Sequence, residues 1–73
     1  MLFQRVSILL GENIKRFRLG KDLSQVDLAA LSNIEQAKIA KLESGQANPT
    51  LRTMVRICEA LEISLEDLVK SDD

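Results

Sequence analysis

The sequence predicts an all-α fold, a compact bundle of five helices, and three observations point there. Apolar residues recur every three or four positions and nowhere alternate as in a half-buried strand. Helix caps punctuate the chain: Ser24 with Asp27, Thr50, and Ser64 with Asp67 at starts, and Gly45 at a close. The 73 residues are 45% apolar but include only two aromatics, Phe3 and Phe17, so one small domain with an aliphatic core is what the chain allows. Residues 1–73 are read as that single domain, with 1–10 as an N-terminal helical arm and 71–73 as a frayed tail.

The first helix is expected from about Leu2 to Gly20. Phe3, Val6, Leu10, Ile14 and Phe17 form one stripe along it. Gly11 interrupts the stripe at a cost of about 1 kcal/mol relative to Ala, which leaves open one bent helix or two pieces. Lys21 and Asp22 link it to the second helix. Ser24 starts that helix as N-cap, Asp27 completes a capping box, and the helix runs to about Leu31. Ser32 and Asn33 turn the chain, Asn being the non-glycine residue best suited to a left-handed backbone. Ile34 packs back, and Glu35 begins the third helix; it is a weaker cap than serine but favourable at the positive helix end. The third helix ends near Ser44, with Gly45 as its left-handed closure. Leu28, Leu31, Ile39 and Leu42 are the expected inner faces of this steeply crossed pair, and Ala29 is small enough for its close contact. Gln46 to Pro49 form a polar loop. Thr50 caps the fourth helix, whose expected core face is Leu51, Met54, Val55, Cys58 and Leu61. After Ile63, Ser64 and Asp67 cap a last helix of about Leu65 to Val69, too short to stand without docking on the rest.

Composition removes several functions. No apolar run approaches the roughly 18 residues of a membrane span, and the N-terminal segment is too short and interrupted for a signal peptide. Cys58 alone makes no internal disulfide and fits a reducing cytosol. Without histidine, and with one cysteine, a zinc finger is excluded, and no metal or cofactor is expected. Net charge is −1, yet its distribution is uneven. Met1 to Arg56 carries nine basic and five acidic residues, a balance of +4, whereas Ile57 to Asp73 carries six acids and only Lys70. Local sign governs phosphate contact more than total charge, so the first three-quarters can face an anion while the tail points away.

The segment Ser24 to Gly45 is built as a helix-turn-helix formed by the second and third helices. Around it the chain resembles the lambda-repressor-like, Cro/repressor-type helix-turn-helix family over about Gly11 to Val69. The matching pieces are Arg18, then Leu23 to Gln25, then Leu28 and Ala29, then Ile39 to Gly45. Asn48 to Leu51 and Ala60 to Leu68 match the last two helices. Each piece alone is weak; their order and spacing are specific. Two positions depart from the pattern: Asn33 stands where glycine is usual, and Glu35 replaces a serine or threonine that reaches a phosphate. The resemblance implies sequence-specific binding of double-stranded DNA and transcriptional regulation, by default steric repression at a palindromic operator. It equally covers restriction–modification controller proteins and antitoxins of toxin–antitoxin pairs, and the lone Cys58 fits a cytoplasmic protein.

The residues of the third helix support this on their own. Gln36, Ala37, Lys38, Ala40 and Lys41 form its outward face, with Ile39 and Leu42 inward. Small alanines between long polar side chains suit a major groove, where Gln pairs with adenine and alanine touches a thymine methyl. Gln25, opening the second helix, suits a phosphate oxygen. Arg52, in the first turn of the fourth helix, is a phosphate candidate through the resemblance. Arg18 and Glu43 are expected from the resemblance to pair with each other in a structural role. Leu61, Ile63, Leu65, Leu68 and Val69 exceed what the short last helix can bury, which predicts a homodimer there, helped by Leu2, Phe3 and Val6. Two rival readings stand. The acidic pI of 5.4 supports a protein-interaction module without DNA binding. An enzyme lacks material: there is no histidine or tyrosine, Cys58 has no base close in sequence, and the adjacent Glu66 and Asp67 point apart.

Overall fold

The first helix does not break at Gly11. In the computed structural model, which describes residues 2–71, α1 runs unbroken over Leu2–Gly20, followed by α2 (Gln25–Ser32), α3 (Gln36–Glu43), α4 (Leu51–Leu61) and α5 (Leu65–Val69). Every described element is helical. Met1 of the expected arm and Asp72 and Asp73 of the expected tail lie outside the described residues.

The caps act where the sequence places them. Ser24 Oγ accepts from the Asp27 N–H at 3.0 Å, and the Asp27 carboxylate accepts from the Ser24 N–H at 2.9 Å. Ser64 and Asp67 repeat that reciprocal pair at α5. Thr50 Oγ1 accepts from the Thr53 N–H at α4. Glu35 precedes α3 with no side-chain cap, so its carboxylate meets the positive helix end without accepting a hydrogen bond from the free N–H groups there. Asn33 sits in the left-handed region (φ 57) as the C-cap of α2, and Ile34 folds back so that its N–H donates to Ala29 O at 3.1 Å. Gly45 closes α3 at φ 77.

The core is aliphatic: Leu10, Ile14, Leu28, Ile34, Ile39, Leu42, Ile57, Cys58, Leu61 and Leu68 are buried, with Phe17 packed on its edge. Three expectations change. Leu31 is 60% exposed, because the buried line of α2 runs through Leu28 and Ser32 and Leu31 falls at its flank, where nothing covers it. On α4, Leu51 and Val55 are exposed, while Thr53 and Ile57 are buried. The apolar arc of α4 is wider than the face that α2, α5 and α1 cover, and Ile57 falls within that face. On α1, Phe3 and Val6 are exposed, so only the Leu10–Ile14–Phe17 part of the stripe joins the core.

The five-residue α5 docks through Leu68, which is wholly buried, and through an amide from a distant helix. Asn13 of α1 donates from Nδ2 to Leu68 O at 2.8 Å and to Lys70 O at 2.9 Å. These bonds satisfy carbonyls that the short helix cannot satisfy itself. Among the described residues no buried side-chain polar atom is left without a partner.

Candidate nucleic-acid interface

The α2–α3 crossing is fixed by buried apolar contacts and by one ion pair. Leu28, Ile39 and Leu42 meet inside. Arg18, the last basic residue of α1, donates from Nε to Glu43 Oε2 at 2.7 Å and from Nη2 to Glu43 Oε1 at 3.0 Å. Its Nη1 donates to Leu23 O at 2.7 Å. The guanidinium therefore ties α1 to both the entry of α2 and the end of α3. The hydrogen-bonded Glu43 carboxylate raises the Arg18 pKa still further, against the opposing effect of burial.

With Ile39 and Leu42 buried, α3 presents Gln36, Ala37, Lys38 and Lys41 to solvent and Ala40 half-buried. No acidic side chain lies between Gln36 and Lys41 in α3. A cleft of about 340 Å³ separates α3 from the following loop, lined by Glu35, Ala37, Lys38, Lys41 and Ala47 to Pro49. This cleft gathers three of the expected DNA-facing residues at one place. Arg52 is exposed in the first turn of α4 but does not line it. Gln25 is half-buried, and its Nε2 donates to Glu43 Oε1 at 3.2 Å. Its amide is thus already oriented by the ion pair.

One cationic residue was missed. Arg56 shares a cleft of about 280 Å³ with Asn33, Ile34, Glu35, Lys38 and Thr53, beside the turn between α2 and α3. The signal was present: Arg52 and Arg56 are four apart, hence on one face of α4. Glu35, the residue before α3, lines both clefts.

The surface expected to pair two chains is smaller than the sequence suggests. Leu61 and Leu68 are wholly buried within the chain, so neither is available to a second copy. The reason is that α5 lies flat on α1 and α4, held by Asn13, and spends Leu68 internally. Ile63 is half-buried, and Leu65 (40%) and Val69 (44%) remain exposed. Cys58 is buried, and burial together with the Asp67 carboxylate pushes its thiol up, away from the reactive thiolate. Among the described residues no group of His, Cys, Asp or Glu is arranged to hold a metal ion, and no helix is long and apolar enough to cross a membrane.

A family model described as helix-turn-helix matches residues 14–68. The chain is 37% identical over 65 residues to the uncharacterised HTH-type transcriptional regulator y4dJ of Sinorhizobium fredii, covering 89% of this chain and 84% of that one. It is 31% identical over 67 residues to the control protein C.SmaI of Serratia marcescens, covering 92% and 80%. Among solved structures, the restriction-modification controller protein C.AhdI from Aeromonas hydrophila superposes with a TM-score of 0.83 at 31% identity, covering 85% of this chain and 94% of that one.

Proposed function

The chain belongs to the helix-turn-helix family of DNA-binding transcriptional regulators, and we propose that it represses transcription in the cytoplasm by reading a palindromic operator through α3 as a homodimer. The observation that carries this is the solvent face of α3. It sets Gln36 and Ala37 at the helix start and Lys38 and Lys41 beside the cleft, with Glu35 the one acid on that cleft's lining. Gln36 and Ala37 then read base edges, with Ala40 small enough to let the helix sit deep. Lys38, Lys41, Gln25, Arg52 and Arg56 face phosphates. The whole of residues 1–73 serves as one DNA-binding domain and carries no catalytic role. The −1 net charge that favours a protein-interaction module is outweighed by the placement of its acids, six of which follow Ile57.

A second reading has its own support. Both C.SmaI and C.AhdI are matched at 31% identity over four-fifths or more of their own lengths, which supports a controller protein of a restriction–modification system. An antitoxin role has no comparable feature of this chain behind it. The deciding experiment is selection of bound duplexes from a random library. A palindromic consensus, with weaker binding of it by Gln36→Ala, is the expected result. Recovery of no consensus at low salt would leave the protein-interaction module in its place.

A further inference from the structure

We infer that Gly11 is a positioning residue for base reading: α1 is the seat against which the C-terminal end of α3 is set, and the absent side chain at Gly11 fixes how far α3 stands from it. This rests on the reading of α3 as the base-contacting helix.

Gly11 is helical and buried, in the middle of α1, where its backbone freedom is a cost relative to Ala and no benefit. Its value is space. A Cβ there would collide with the carbonyl oxygen of Leu42 and lie 2.8 Å from that of Glu43. Ordinary contact begins at 3.4 Å, and the closer obstacle, Leu42 O, sets a withdrawal of the end of α3 of about 1 Å. Neither obstacle is the tip of a flexible side chain; both are backbone atoms of the last residues of α3. One turn earlier the same helix meets the closure of α3. Gly45 lies so close that a Cβ on it would be 3.0 Å from Ile8 Cγ1 and 3.2 Å from Ile8 Cα. Two turns later, on the same face of α1, Arg18 grips Glu43. Ile8, Gly11 and Arg18 therefore touch α3 or its closing turn at three points. These span roughly 15 Å of α1 at about 1.5 Å per residue.

The consequence follows from the length of α3. Eight residues make a helix of about 12 Å, too short to bend, so displacement of its C-terminal end moves Gln36 at the other end as one body. A bidentate amide–base pair tolerates little, because its hydrogen bonds lie between about 2.7 and 3.2 Å. Phosphate contacts by long lysine and arginine side chains absorb such a shift. A change at Gly11 thus separates specific from non-specific affinity, although Gly11 touches no DNA.

The test is the ratio of operator to random-duplex affinity for the full chain, measured with the duplex recovered by selection. Partial unfolding lowers both affinities equally and leaves the ratio unchanged, so a merely structural role does not move it. Gly11→Ala is expected to lower the ratio about tenfold or more, the scale of one lost base contact. Gly20→Ala, in the same helix with nothing within 4 Å, is expected to leave it at the wild-type value. Ile8→Ala, which adds no atom and empties the contact with Gly45, is expected to lower the ratio about threefold or more, and it decides the matter if Gly11→Ala does not fold. A wild-type ratio near one would sink the reading of α3 itself. Wild-type discrimination that survives in Ile8→Ala and in any folded Gly11→Ala would overturn the role of the seat alone.

Discussion

Arg18 and Glu43 form a side-on ion pair that joins the end of α1 to the end of α3, with their side chains only 8% and 5% exposed. In that position each charge depends on the other, because a stranded one has little water to turn to. Glu43 also accepts from Gln25, so the pair orients a residue expected to face phosphate.

Glu43→Ala is expected to cost on the order of 3 kcal/mol, since it leaves the Arg18 guanidinium with only Leu23 O. Arg18→Lys should recover only part of the contact, because an ammonium cannot form the two parallel bonds. The double replacement Arg18→Leu with Glu43→Leu should cost less than the sum of the singles. Urea unfolding of the wild type, Glu43→Ala, Arg18→Lys, Arg18→Leu, Glu43→Leu and the double replacement checks this. Additive losses below 1 kcal/mol would mean a solvated pair.

Glu62 caps α4 in the left-handed region at φ 58 without the glycine or asparagine that such a position favours. A β-carbon there costs about 1–2 kcal/mol, partly offset by the greater chain entropy that glycine loses on folding. Glu62→Gly should therefore stabilise the fold by about 0.5–1 kcal/mol, read from the urea midpoint. The contrast is Asn33→Ala, which removes a suited residue at φ 57 and should destabilise. Opposite signs for the two variants are the expected pattern, and equal signs would refute the backbone explanation.

The five helices were legible because their ends carry chemistry: Ser24, Thr50 and Ser64 cap, and Asn33 and Gly45 reverse the backbone. Burial was less legible. Leu31 and Ile57 are both apolar residues in helices, and only the placement of neighbouring helices decides that one is exposed and the other buried. Gly11 read as a weakness because a one-dimensional sequence shows the helix propensity and hides the carbonyls of Leu42 and Glu43. On the candidate DNA face, the residues of α3 followed from periodicity. The spacing of four put Arg56 on the face of Arg52, but its nearness to Lys38 is made by the fold.

The capping box of α2 predicts a pH effect. The Asp27 carboxylate accepts from the Ser24 N–H, and this holds its pKa below the ordinary 3.8. A depressed carboxylate contributes stability that is complete above the unfolded value and is lost as pH falls through the lower folded one. Asp27→Asn has no charge to lose, so the gap between wild type and variant should close below about pH 3.8. Denaturation midpoints measured from about pH 6 to about pH 2 test it, and a gap that stays constant would refute the assignment.

Neutralising a phosphate-contacting residue lowers the salt dependence of DNA binding by about one unit. We expect this for Lys41→Gln, Arg52→Gln and Arg56→Gln taken singly, on operator and random duplex alike. Gln36→Ala should instead weaken operator binding by roughly 1–3 kcal/mol and leave the slope unchanged. If Arg56→Gln keeps the wild-type slope while the other two change it, the cleft at the helix turn does not face the backbone.

Assembly follows from what α5 leaves uncovered. One recognition helix contacts about half a turn of DNA, and two-fold pairing at roughly 34 Å spacing is the usual remedy. The basic part of the chain must face the duplex, so the pairing surface belongs at the acidic end. There Leu61 and Leu68 are already spent inside the chain, whereas Leu65 and Val69 are exposed beside a half-buried Ile63. A charge at Leu68 would unfold α5 and prove nothing about pairing. Leu65→Glu and Val69→Glu change residues on the outer side of α5, where Asn13 holds the helix in place without them. Each should leave the helical content intact and shift the dimer toward monomer in sedimentation. The double variant should also lose the steepness of operator binding with concentration. A wild type that sediments as a monomer at tens of micromolar, or variants that dimerise as it does, would place the pairing surface elsewhere. The exposed Leu2, Phe3 and Val6 of α1 are then the next surface to charge.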